Sequence, residues 1–220
     1  MTRLALFDLD HTLIPFDSGM AWTRHLIALG ALDADAEPRY LAFCQQYVDG
    51  TLDIHAMHRA LLAPLREVEP AQLRQWRESF ARTLAGRFSP ALRARVAEHR
   101  AQGDLCAIVT ATERLIAEPF AQALALEHLV ATEAETIDGR PSGEIAGLPC
   151  YREHKVAHVD AWLRRIGAPP LAAFGQSFFY SDSISDLALL QRVTHPVAVR
   201  PDARLREHCR RAGWRLLDEV

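Results

Sequence analysis

Leu4-Ala5-Leu6-Phe7-Asp8-Leu9-Asp10 is the stretch on which the fold turns. Four apolar residues run straight into two carboxylates spaced i, i+2. A short apolar run that stops at charge predicts a strand buried on both faces, with its carboxyl end at the edge of a sheet. Strands buried on both faces belong to parallel sheets covered by helices.

Beyond this strand the chain changes character. From Asp17 to Ala85 apolar residues recur at helical spacing in four blocks, over 22–29, 40–48, 54–65 and 73–84. The blocks break at Gly30-Ala31, Asp49-Gly50 and Pro70, with Asp53 placed to cap a helix and Gly86 to stop one. No strand pattern interrupts them. Beyond Pro90 the pattern alternates: helix 91–102, strand 105–110, helix 113–126, strand 128–132. A hairpin turn at Asp138-Gly139 comes next. Then come helix 152–166, strand 177–182, helix 187–192, strand 196–199, a last helix and Trp214-Arg215-Leu216-Leu217. Alternation of this kind predicts a doubly wound α/β core at 1–15 and 87–220, interrupted at 16–86 by an all-helical cap.

Composition narrows the function. With 49% hydrophobic and 24% charged residues, a chain of 220 residues has enough apolar surface to fold without a disulfide or structural metal. A formal net charge of −3 gives no electrostatic footprint for nucleic acid. Asp8 arrives too early for a secretory hydrophobic segment, and no apolar run reaches about 18 residues, so no membrane partner is expected. Cys44, Cys106, Cys150 and Cys209 are scattered without a C-x-x-C pairing, which suits reduced thiols in the cytoplasm. Of the 25 basic side chains only Lys155 is a lysine. Its site either arose by chance or needs a compact ammonium rather than a planar fork.

Ligands of open parallel sheets bind beyond the carboxyl ends of the strands. Asp8 and Asp10 stand after the first strand, and Thr110 and Ala111 at the end of the second. Asp182 and Asp186 follow the strand that ends in Tyr180-Ser181-Asp182, and Lys155 opens the helix before it. Taken singly, each has an ordinary explanation as a solvated turn or a helix cap. Converging on one edge from distant parts of the chain, they point to a functional site rather than to coincidence.

The runs FDLDHTL (7–13), IVTAT (108–112), Lys155 and YSDSISD (180–186) resemble, in that order, the four motifs of the haloacid dehalogenase-like superfamily. The helical insertion resembles the cap of its phosphoserine-phosphatase-like branch. The resemblance implies an Mg²⁺-dependent phosphatase that acts on a small-molecule phosphate ester through an aspartyl-phosphate. Asp8 would be the nucleophile and Asp10 the general acid and base. As the residue two positions on, Asp10 is expected on the same side of the strand. Mg²⁺ would be held by Asp8, the backbone carbonyl of Asp10 and Asp182, with Asp186 orienting a metal-bound water. Thr110, Lys155 and the backbone N–H groups of Leu9, Asp10 and Ala111 would hold the phosphate. Without Lys155 the site would carry one more uncompensated negative charge against a dianionic substrate. Ser181 stands where a glycine is usual, and Ser185 where the branch commonly has asparagine.

The same resemblance bears on the leaving group. Nine residues after the nucleophile the branch carries a glutamate for the substrate's ammonium, and Asp17 stands there, where it could also cap the first cap helix. The branch clamps a substrate carboxylate with a cap arginine. Alignment on Gly50-Thr51-Leu52 puts Leu61 at that place, with Arg59 facing elsewhere on the helix. These features favour a phosphorylated amino alcohol such as histidinol phosphate or phosphoethanolamine, with phosphoserine the alternative. Two readings from another class are a phospho-accepting receiver-like module and a catalytically silent binding scaffold. His55 with His58 (i, i+3) and His154 with His158 (i, i+4) could pair as metal ligands, although packing or surface roles are simpler. Pro15 and Gly86 stand where a lid would hinge, and a monomer and a homodimer are both compatible with the sequence.

Overall fold

The computed structural model describes residues 3–218. Eight strands are described: β1 (Arg3–Phe7), β2 (Leu105–Glu113), β3 (His128–Thr132), β4 (Ala134–Ile137), β5 (Arg140–Ile145), β6 (Gln176–Ser181), β7 (His195–Val199) and β8 (Arg215–Leu217). Six of them form one parallel sheet in the order β3-β2-β1-β6-β7-β8. β4 and β5 form the separate antiparallel hairpin expected around Asp138-Gly139. The strand order reverses at β1, so the crevice of a doubly wound sheet opens where Asp8 leaves it.

The residues of β1 divide between two cores. Leu4 and Leu6 pack with Val159, Trp162 and Leu163 of α7 (His154–Arg165) on one side. Ala5 and Phe7 pack on the other with Leu92 and Val96 of α5 (Pro90–Ala101) and Ile116 and Phe120 of α6 (Arg114–Ala123). All four β1 side chains are fully buried, and each large one contributes about 1.5–3 kcal/mol by leaving water. The short α8 (Leu187–Leu190) and α9 (Ala203–Ala212) complete the layers.

Between β1 and α5 the chain forms α1 (Ser18–Ala28), α2 (Ala36–Asp49), α3 (Ile54–Leu62) and α4 (Pro70–Arg82). α1 and α2 begin four residues before the apolar spacing predicts. Asp17 caps α1, and the mostly exposed first turn of α2 carries no clear apolar signal. α3 ends early in a 3₁₀ turn, Ala63–Leu65, because Pro64 cannot donate to an α-helical ladder. Pro70 opens α4 from the first turn, where a proline needs no donor. These helices rest on α6 through an aromatic hub. Phe120 meets Phe80 of α4 at 5.8 Å and Phe16 at 6.3 Å, and Phe80 meets Trp22 of α1 at 5.2 Å.

β2 departs from expectation by running past Thr110 to Glu113. Its pairing with β3 shifts register between Val109 and Glu113, where Glu113 pairs with Thr132. The irregularity falls on the residues that face the crevice. No helix among the described residues is long and apolar enough to cross a membrane.

Candidate active site

β1 and β6 end together, with Asp8 N donating to the Tyr180 carbonyl at 2.9 Å. The chain then leaves the sheet in a tight turn over Leu9–Leu13. Arg200 Nη2 ties this turn down by donating to the carbonyls of His11 and Thr12, each at 3.0 Å. Asp10 therefore lies in a turn and not on the strand, so the strand's alternation does not direct its side chain. Two donors do: Ser18 N to Oδ1 at 2.5 Å and Thr112 Oγ1 to Oδ2 at 2.8 Å. Thr112 Oγ1 also lies 3.0 Å from Ser18 Oγ, which joins the end of β2 to the start of α1.

Asp8 is held at both oxygens. Lys155 Nζ donates to Oδ1 at 2.9 Å and Thr12 Oγ1 to Oδ2 at 3.2 Å. The ammonium also lies 2.7 Å from Oδ1 and 2.8 Å from Oδ2 of Asp186, and Ser181 Oγ donates to that Oδ2 at 2.7 Å. Burial alone would lower the Lys155 pKa. The carboxylates of Asp186 and Asp8 outweigh it and hold the ammonium above its ordinary value. Breaking such a buried pair from one side costs about 3–5 kcal/mol, because the remaining charge is left uncompensated.

Asp182 faces Asp8 across Thr12, whose Oγ1 is 3.3 Å from Asp182 Oδ1 and accepts from Asp182 N at 3.1 Å. One hydroxyl proton cannot serve two carboxylates. Burial pushes the Asp8 carboxyl up to about 7, with Asp186 and Asp10 adding to the rise against Lys155. Asp182 is raised well above its ordinary value by burial and then by Asp8. Two converging carboxylates that resist ionisation beside each other fit a hard cation between them. Asp8, Asp182 and the Asp10 carbonyl offer oxygen donors only, the chemistry Mg²⁺ prefers. No three His, Cys, Asp or Glu side chains among the described residues cluster closely enough to hold a metal by themselves. Mg²⁺ needs only one or two carboxylates and keeps several waters, so the residues fit it.

Thr110 is buried at the end of β2, and its Oγ1 accepts from Thr112 N at 3.1 Å, which leaves its proton to be donated elsewhere. Leu9 and Asp10 follow Asp8 in the turn. Ala111 follows Thr110, its carbonyl accepting from Thr132 Oγ1 at 2.7 Å. Asp17 caps α1, its Oδ1 accepting from Met20 N at 2.7 Å and from Tyr40 OH at 2.9 Å. A Cβ on Gly19 would fall 2.1 Å from the Tyr40 hydroxyl, so only glycine admits this contact. Burial, then the charge of Asp10, pushes the Asp17 carboxyl up to about 6.

Other residues take places that their spacing does not reveal. Leu61 is buried, while the exposed Arg59 forms a bidentate pair with Glu144 of β5, 2.6 Å at the closest. His55 is exposed and His58 buried against Glu113, so the two do not face one site. His158 bonds the Leu148 carbonyl. Thr12 and Thr112 lie inside the motif runs and are legible there only as hydroxyls among apolar neighbours. Ser18 and Tyr47 carry no sequence signal. Tyr47 OH meets Ser183 Oγ at 2.6 Å and Ser185 Oγ at 2.7 Å, so α2 touches the loop after β6. Beside this contact opens a cleft of about 770 Å³, lined in part by Tyr47, Tyr151, Arg152 and Ser185.

Comparison with known proteins agrees with this geometry. Residues 5–191 match the family model of the haloacid dehalogenase-like hydrolases. A histidinol-phosphatase of Neisseria meningitidis is 37% identical over 99% of both chains. A phosphoserine phosphatase of Mycobacterium tuberculosis is 29% identical over 99% of this chain and 71% of its own. Among solved structures, a Bordetella pertussis protein of unknown function superposes with TM-score 0.90, at 40% identity and 99% coverage of both chains. A phosphoserine phosphatase caught as a phospho-aspartyl intermediate analogue shares the fold, with TM-score 0.68 at 16% identity, over 100% of this chain and 94% of that one. A receiver-like module does not fit, since its five-stranded 2-1-3-4-5 sheet differs from the six-stranded order found here. The chain belongs to the haloacid dehalogenase-like hydrolases and is one of their phosphatases.

Proposed function

We propose that this phosphatase uses Mg²⁺ and an aspartyl-phosphate on Asp8, and that its substrate is a phosphorylated amino alcohol such as histidinol phosphate. One observation carries the reaction. Asp8 stands at the end of β1 with Lys155 on one oxygen, Thr12 on the other and Asp182 opposite. Asp8, Asp182 and the Asp10 carbonyl would hold Mg²⁺, which would supply positive charge against the phosphate dianion. Asp8 forms a bond to phosphorus as the bond to the leaving oxygen breaks. Asp10 gives that oxygen a proton, then takes one from the water that hydrolyses the aspartyl-phosphate. Lys155, Thr110 and the N–H groups of Leu9, Asp10 and Ala111 hold the phosphoryl oxygens, while Asp186 anchors the ammonium. The block 16–86 serves as a lid over the reaction.

Three observations support the amino alcohol. Asp17 offers a carboxylate near Asp10 for a cationic group. Leu61 provides no guanidinium for a substrate carboxylate, and Arg59 is engaged by Glu144 on the outside. A relative that matches over 99% of its own length is named a histidinol-phosphatase. A panel of phosphorylated metabolites assayed with and without Mg²⁺ tests the reading. Histidinol phosphate is expected to give the highest kcat/KM, and Asp8→Asn to lose at least about 10³-fold in turnover with its circular dichroism unchanged. Phosphoserine as the best substrate would overturn the substrate, and more than a few per cent of activity in Asp8→Asn would overturn the nucleophile.

A further inference from the structure

Glu113 occupies the N-cap position of α6, yet its side chain caps nothing. It turns instead to His58 of α3, its Oε1 meeting His58 Nδ1. Both side chains are buried, at 1% exposure for His58 and 0% for Glu113. His58 Nε2 and Glu113 Oε2 have no hydrogen-bond partner among the described residues. The side chain forgoes a helix cap, and a buried carboxylate with half its bonding unmet adds a further cost. The arrangement gives up local stability for one contact between cap and core.

The place of that contact says what it does. β2 is paired regularly with β3 up to Val109 and again at Glu113. The irregular segment between them carries Thr110 and Thr112. Thr112 donates to Asp10 Oδ2 at 2.8 Å and meets Ser18 of α1. The far end of this segment is therefore fixed at Glu113, by β3 on one side and by His58 on the other. We propose that His58 and Glu113 are positioning residues: docking of α3 fixes the end of β2 so that Thr112 orients the Asp10 carboxyl for proton transfer. General acid catalysis becomes effective only when the cap is seated.

This inference rests on the acid–base role of Asp10 proposed above, and the leaving group separates the two. An alkyl phosphate needs a proton delivered to its leaving oxygen, whereas p-nitrophenyl phosphate leaves without one. In kcat/KM, which stops at phosphorylation of Asp8, Asp10→Asn should lose about 10²-fold or more on an alkyl phosphate and far less on the aryl ester. If it does not, the role of Asp10 falls. With that reference in hand, Glu113→Ala and His58→Ala should each lose about 10-fold or more on the alkyl phosphate and under about threefold on the aryl ester. The double variant should lose no more than either single one. His58→Leu with Glu113→Leu controls for packing, since apolar replacement of a buried pair often preserves stability. Its melting temperature should stay near wild type while the alkyl-selective loss persists. Restoration of alkyl phosphate turnover by the leucine pair, or equal losses on both esters in the alanine variants, would overturn the proposal in favour of a packing role.

Discussion

Lys155 and Arg59 both hold carboxylates, but in regions built on opposite terms. Lys155 lies at the carboxyl edge of the sheet with a side chain 3% exposed, between Asp8 and Asp186. Arg59 lies on the cap, 54% exposed, against a Glu144 that is 48% exposed. In the first setting charges have little water to fall back on, so every neighbour is constrained in type. In the second, water solvates either partner as readily as they solvate each other. The rest of each region obeys the same difference. The edge is a network in which Thr12, Ser181, Thr112 and Ser18 all serve the carboxylates. The cap holds to the core by aromatic contacts around Phe120, by the packing of α3 against β5 and by pairs such as Arg77 with Glu118. The buried edge constrains the type of every residue in it, whereas an exposed pair such as Arg59 with Glu144 constrains its residues far less.

The sharpest way to break this contrast is Lys155→Met. It should reduce kcat/KM by at least about 10³-fold on every phosphate ester, because the cation's proposed role is to hold the phosphate whatever the leaving group. It should also lower the melting temperature, since Asp8 and Asp186 would be left buried side by side. Recovery of stability but not of activity in Lys155→Met with Asp186→Asn would assign the two effects to separate causes. A loss confined to one substrate would move Lys155 from the chemistry to specificity.

A smaller effect sharpens the border between the regions, where Asp17 belongs to both. Its carboxyl is pushed up to about 6 by burial and then by Asp10, against the bonds from Met20 and Tyr40. The group is charged above that pH and neutral below it. A cationic substrate should therefore bind best above pH 6, with KM rising as pH falls from about 7 to about 5. Because the folded pKa is raised, the folded state binds the extra proton, so this group's contribution to stability falls as pH rises from about 4 to about 6. Asp17→Asn should flatten the KM profile and raise KM for aminated esters by about 10-fold, leaving p-nitrophenyl phosphate within about twofold. An unchanged profile would leave Asp17 as a helix cap alone.

What could be read in the sequence divides along the same line. Asp8, Asp10, Thr110, Lys155, Asp182 and Asp186 are legible because phosphate chemistry at a sheet edge admits few residue types, and the strands around them alternate cleanly with helices. The direction of Asp10 is not legible, since it depends on Ser18 and Thr112 rather than on strand geometry. Thr12 hides as a polar residue in a motif run. Glu113 reads as the start of a helix, and only the tertiary structure takes it across to His58. In the cap the helices are legible from spacing, but the starts of α1 and α2 are blurred because their first turns carry no apolar repeat. Asp17 supports two readings from sequence; the structure shows the cap on α1, with the carboxylate close to Asp10.

The smallest expected effect decides between the two substrates. If Arg59 reached into the site it would supply the guanidinium that a substrate carboxylate requires, and phosphoserine would return as the natural ester. Its Nε and Nη2 are instead spent on Glu144 of the β4–β5 hairpin, at 2.6 and 3.2 Å. On the same helix the buried residues are Ile54, His58, Leu61 and Leu62. Losing an exposed pair of this kind changes little in a folded protein. Arg59→Ala should therefore leave kcat/KM within about twofold for both histidinol phosphate and phosphoserine, and the melting temperature close to wild type. Leu61→Arg carries the complementary expectation: a guanidinium placed on the buried face should favour phosphoserine relative to histidinol phosphate, at a lower melting temperature because Leu61 is buried. A selective loss of phosphoserine turnover in Arg59→Ala would mean that α3 presents its other face when substrate is bound, and the assignment of the cap would have to be rebuilt from that face.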